Sequence, residues 1–148
     1  MRIVEADIGR AVDACWHVFT DAATMTSWVP GLRSALPIAV RADGLAAAIE
    51  FAYAGGLSYA LLYSYDVAAR VVRWEPREPE RGAVRGFARF EPIRPTLEAM
   101  HDALDQGTGT RLTYALEHDT GRRAAERALD DPQLLVDAFV RRMNEHRD

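Results

Sequence analysis

A chain of 148 residues with 49% hydrophobic and 27% charged side chains is long enough to bury one core and too apolar to stay disordered, so one domain over 1–148 is expected. The net charge is −4, and all 18 basic residues are arginines scattered among acids, which leaves no basic stripe for phosphates and excludes nucleic acid as the expected partner. The lone Cys15 excludes an internal disulfide, and residues 1–5 lack the start of a secretory leader, so a cytoplasmic protein is expected.

Val4, Ala6 and Ile8 alternate with Ile3, Glu5 and Asp7, which predicts an opening strand ending near Gly9. Val12, Cys15, Trp16 and Phe19 stand at i, i+3, i+4 and i+7, one apolar face of a helix on which Cys15 reads as a small buried hydrophobe. Thr20 and Asp21 end that helix and cap a brief second one, carrying Met25 and Trp28, that Pro30-Gly31 stops.

Residues 32–118 read as strand after strand, with turns at Asp43-Gly44, Gly55-Gly56, 66–70, 78–82 and 107–109, the pattern of an antiparallel meander. The apolar run 45–65 approaches the length of a membrane span. Gly55-Gly56 stands at its centre, however, and Phe51 and Tyr53 before it and Tyr59, Leu61, Tyr63 and Tyr65 after it recur at period two. That is a hairpin facing a core, so no membrane span is expected.

Glu50 falls on the outer face of that hairpin. Val72 and Trp74 are predicted inward against Arg73 and Glu75; Val84, Gly86, Ala88 and Phe90 against Arg85 and Arg89; and Leu112, Tyr114 and Leu116 share one face. Between 91 and 107, Leu97, Met100 and Leu104 stand at helical spacing, which leaves a helical insertion and a plain loop equally open. The chain ends in its clearest helix. Asp131 caps it, Pro132 takes the first turn, Leu135, Val136, Phe139, Val140 and Met143 form one stripe, and the arginines and His146 near its end suit the dipole. The fold class is therefore α+β: a curved antiparallel sheet of about seven strands around a long C-terminal helix, with an apolar cavity between them.

This order of elements, with the strings Ala14-Cys15-Trp16-His17-Val18-Phe19-Thr20-Asp21, Trp28-Val29-Pro30-Gly31, Val72-Arg73-Trp74, Val84-Arg85-Gly86-Phe87-Ala88-Arg89-Phe90 and Gly107-Thr108-Gly109-Thr110-Arg111-Leu112-Thr113-Tyr114, resembles the START-like or Bet v 1-like (SRPBCC) superfamily. Within it, the chain is most similar to bacterial polyketide cyclase/dehydrase-type proteins. The stretches 91–106 and 121–130 are longer than that pattern. The resemblance implies a helix-grip fold whose cavity takes a hydrophobic or amphipathic small molecule, with the turns at Gly55-Gly56 and 78–82 at its mouth.

Little in the sequence carries chemistry. His17, His101, His118 and His146 have no partners at metal-ligand spacing, so no metal and no cofactor is expected. Cys15 and His17, two apart on a helix, point to different faces and make no nucleophile pair. No phosphate loop or nucleophile elbow occurs. His118 extends the alternation of Leu112, Tyr114 and Leu116, which makes it a candidate acid or base with Tyr63 or Tyr114, although a histidine at a strand end is more often simply solvated.

The aromatic set is the main signal: Trp28, Phe51, Tyr53, Tyr59, Tyr63, Trp74, Phe90, Tyr114 and Phe139 are the candidate ligand contacts. The expected function is binding of a lipid- or polyketide-like small molecule. An aromatase/cyclase-like enzyme and a protein-interaction module with a filled interior are the alternatives, with a homodimer left open. The volume of the cavity separates them: ligand pockets start at about 300 Å³.

Overall fold

The computed structural model describes residues 1–77, 83–93, 109–119, 122 and 124–145. Strand β1 (Arg2–Ile8) leads through helix α1 (Val12–Phe19) and a 3-10 turn (Ala22–Thr24) to the short helix α2 (Met25–Trp28). Strands β2 (Leu32–Val40), β3 (Ala46–Tyr53), β4 (Ser58–Asp66), β5 (Val71–Pro76), β6 (Val84–Pro92) and β7 (Thr110–His118) follow, and helices α3 (Ala124–Leu129) and α4 (Pro132–Glu145) come last.

The seven strands form one sheet in the order β1-β7-β6-β5-β4-β3-β2, antiparallel at every step. Each strand from β2 to β6 pairs with its successor, as a meander requires, and β1 joins the free edge of β7. The turn expected at 78–82 and the helical spacing of Leu97, Met100 and Leu104 lie outside the described residues, as do His101 and His146. The long approach to the last helix contains α3, which the periodicity of the sequence does not announce.

Period two decides the two faces of the sheet. Phe51, Tyr53, Tyr59, Leu61, Val72, Trp74, Val84, Ala88, Phe90, Leu112, Tyr114 and Leu116 are buried, whereas Glu50, Arg73, Glu75, Arg85 and Arg89 are exposed on the other side, as expected. Three glycines are demanded by geometry. Gly55 and Gly56 turn the β3–β4 hairpin with φ of 85° and 88°, a region that strains other residues. At Gly86 a Cβ would lie 2.0 Å from the carbonyl oxygen of Ala115 and 3.1 Å from the Trp74 ring, so only glycine lets the neighbouring backbone and that ring approach this closely.

The helices are positioned by their caps and stripes. The Asp21 carboxylate accepts the Ala23 N–H at 3.1 Å, and α1 buries Cys15, Trp16 and Phe19 while His17 stays exposed. The Asp131 carboxylate accepts the Gln133 N–H at 2.8 Å at the start of α4, where proline at the first position costs no hydrogen bond. Leu135, Val136, Phe139 and Met143 are buried and Val140 is half-buried, so the predicted stripe seats α4 against β1, β7 and α2. Each such side chain contributes about 1.5–3 kcal/mol on burial. A helix gripped by a curved sheet is the expected architecture. No helix among the described residues is long and apolar enough to cross a membrane.

Candidate functional site

The sheet and α4 leave between them a void of about 50 Å³, room for about four water molecules. Period two brings its wall together. Phe51 stands opposite Tyr59 in the β3–β4 ladder, Tyr63 stands opposite Trp74 in the β4–β5 ladder, and Tyr114 projects from β7. With Tyr53 and Trp28, these place seven of the nine candidate aromatics in the wall; Phe19, Met25, Leu61, Leu116 and Leu135 supply much of the apolar remainder.

Phe90 and Phe139 stand outside that wall. They are 1% and 0% exposed and belong to a dense ring cluster, with Phe19 5.2 Å from Phe90 and 5.5 Å from Phe139, and Trp16 5.9 Å from Phe90. The edge-to-face angles of these pairs are those that suit opposed ring quadrupoles. Alternation along β6 turned Phe90 inward and the helical stripe of α4 turned Phe139 inward, but neither pattern carries information about depth between sheet and helix.

One end of the void is polar. Asp130, in the turn between α3 and α4, is 4% exposed and reaches the wall. Its Oδ1 lies 2.7 Å from His118 Nε2 and accepts from Arg122 Nη2 at 2.7 Å, and its Oδ2 accepts the Tyr59 hydroxyl at 2.9 Å. Arg122 also donates to the Glu126 carbonyl at 2.7 Å, and its guanidinium sits 5.9 Å from the Tyr59 ring centre. A buried carboxylate needs such company, since removing it from water without donors or a cation is prohibitive.

The Tyr59 and Tyr53 oxygens are 3.3 Å apart. Tyr59 has a single proton, and the carboxylate is the stronger acceptor, so Tyr53 donates to Tyr59 and Tyr59 donates to Asp130. Burial pushes Tyr53 up to about 12 and carries Tyr59, Tyr63 and Tyr114 well above the ordinary tyrosine range; the Asp130 charge adds to the effect at Tyr53, Tyr59 and Tyr114. All four therefore remain protonated near neutral pH.

Tyr63 and Tyr114 line the void, and among the described residues neither hydroxyl has a hydrogen-bond partner. The buried indole N–H of Trp28 is likewise without a partner there. These are the groups that a molecule in the void would satisfy.

His118 lies at the edge of the site. It does extend the inward alternation, but its side chain, 16% exposed, stops beyond Asp130 and borders a surface depression with Arg2, Glu117, Arg127 and Asp131. It touches the void only through the carboxylate, and Tyr63 and Tyr114 are not bonded to it. The two charged members of this end, Asp130 and Arg122, are absent from the aromatic pattern. The Asp130-Asp131-Pro132 string was a signal for Asp130, but it reads first as a helix cap, and nothing marks Arg122. Among the described residues, no cluster of His, Cys, Asp and Glu suits a metal ion.

No family model and no curated protein matches the chain. Solved structures do. A START superfamily protein from Mycobacterium smegmatis superposes with a TM-score of 0.69 at 10% identity, over 97% of each chain. The chain has the START-like, or Bet v 1-like, fold. The Zhui aromatase/cyclase from Streptomyces sp. R1128 shares this START-like fold with a TM-score of 0.64 and 16% identity over 97% of this chain and 94% of that one. The di-domain ARO/CYC StfQ from the steffimycin biosynthetic pathway gives 0.70 at 13% identity, over 99% of this chain and 46% of its own length. At such identities the likeness concerns the fold, and the site has to be argued from its own residues.

Proposed function

We propose that the START-like chain binds a hydrophobic or amphipathic small molecule, of lipid or polyketide type, between the sheet and α4. One observation carries this reading: an aromatic void retains two unbonded tyrosyl hydroxyls in its wall, where a merely structural core pairs or excludes its polar groups. The volume restricts the ligand, since about 50 Å³ is well below the roughly 300 Å³ at which ordinary ligand pockets begin. A guest must be small, or the wall must yield.

A second reading, an aromatase/cyclase-like enzyme, is favoured by the hydrogen-bonded series from half-buried His118 through Asp130 and Tyr59 to Tyr53 in the wall. Such a series passes protons between the void and the solvent side without displacing a heavy atom.

Calorimetric titration with 2-naphthol and 1-decanol tests the first reading. A saturable heat with a negative heat-capacity change is expected, because apolar surface is buried. Absence of saturation for both compounds would sink the reading and leave the interaction module, whose interior is filled. Extraction of the bound compound after incubation separates carrier from enzyme: a carrier returns it unchanged.

A further inference from the structure

We propose that the void selects neutral, single-ring molecules bearing a hydroxyl or carbonyl oxygen and rejects carboxylates. This deepens the small-molecule reading and rests on it. Four observations converge.

The first is size. Room for about four waters admits a single ring once side chains adjust, whereas a second ring or an alkyl chain requires the wall to yield further and is disfavoured. The second is shape, since Phe51, Trp74 and Tyr114 offer ring faces and edges that a planar guest matches and a flexible chain does not.

The third is hydrogen bonding. The free hydroxyls of Tyr63 and Tyr114 each offer a proton and accept one, so one guest oxygen meets their need, whereas a hydrocarbon leaves both unmet. The Tyr53 oxygen, its proton directed to Tyr59, keeps a lone pair for a guest hydroxyl.

The fourth is charge. Among the described residues the wall contains one ionised side chain, Asp130, and it is negative. The cation beside it, Arg122, is bonded to that same carboxylate, and neither Arg122 nor His118 belongs to the wall. An anionic guest would lose its hydration, find no cation and face the Asp130 field. Burial first, and after it the neighbouring Tyr53, Tyr63 and Asp130, already disfavour ionisation of Tyr114.

The test uses the intact chain at neutral pH with four probes in ligand-detected NMR titrations: p-cresol, its hydrocarbon counterpart p-xylene, benzamide, and its near-isosteric anion benzoate. The expected order is p-cresol about tenfold tighter than p-xylene, the scale of one net hydrogen bond, and benzamide binding where benzoate does not. In the Tyr63→Phe/Tyr114→Phe double variant, which keeps both rings, the p-cresol advantage is expected to fall below about twofold with p-xylene unchanged. Equal binding of p-cresol and p-xylene, failure of benzamide, or benzoate as tight as benzamide overturns the selectivity. If one of those results appears while 2-naphthol or 1-decanol still binds, the small-molecule reading survives without it. If no compound binds, both fall together.

Discussion

The space beneath α4 has two ends built from similar residues to opposite effect. On the Trp16 side, Phe19, Phe90 and Phe139 interlock edge to face with centroids 5.2–6.2 Å apart and themselves bring no polar side-chain atom. On the Asp130 side, tyrosines replace phenylalanines, a buried carboxylate organises their hydroxyls, and a void remains. Burial alone does not tell the two apart, since Phe139 is 0% and Tyr114 4% exposed. What distinguishes a site from a core is the polar capacity left over once the packing is complete.

The largest effect should come from the packed end. Phe139→Ala removes a ring that contacts Phe19, Phe90 and Trp28, the last at 5.0 Å, and the expected loss is about 4 kcal/mol in denaturant unfolding. A loss below about 1 kcal/mol would mean that the cluster collapses around the gap and that the packed end is as yielding as the other.

At the polar end the loss should be slightly smaller and of another kind. Asp130→Ala takes from the Arg122 side chain, 0% exposed, the carboxylate that lies 2.7 Å from its Nη2, for an expected loss of about 3 kcal/mol. Adding Arg122→Met should return much of that loss, because an apolar replacement of a buried pair is often near neutral. If the double variant is as unstable as Asp130→Ala, stranded charge is not the cause, and the contrast between the ends reduces to packing.

This contrast also sets what the sequence made legible. The hairpin of β3 and β4, its glycine turn and the inward faces of β5 to β7 follow from period two, a local property. The stripe on α4 follows from period 3.6 in the same way. The grouping of Tyr59 with Asp130 joins residues 71 apart in the chain, and no local pattern encodes such a meeting. Depth along a face is equally non-local, which is why Phe90 and Phe139 read as equivalent to Tyr114 although they lie under the packed end. His118 was legible as inward-tending, while the carboxylate that receives it was hidden in what reads as a capping string.

The smallest expected effect concerns that string, in which adjacent aspartates go separate ways: Asp130 into the interior at the polar end, Asp131 to the helix surface as its cap. Partial burial raises the Asp131 carboxyl, but the Gln133 and Leu134 N–H groups and Arg2 outweigh it and hold it below the ordinary value of 3.8. A carboxyl lowered on folding stabilises the native state fully above its unfolded value, and that contribution is lost as pH falls through the lowered folded value. Asp131→Ala should therefore cost about 1 kcal/mol near neutral pH, and the gap to wild type should narrow as pH drops below about 4. Asp131→Asn keeps a capping oxygen without the charge, so it should lie close to wild type near neutral pH and show no such narrowing relative to Asp131→Ala. Thermal melts of the three proteins across that range check this. A gap between wild type and Asp131→Ala that does not change with pH would show that the capping contribution does not depend on ionisation, and the surface carboxylate would then differ from its buried neighbour in geometry alone.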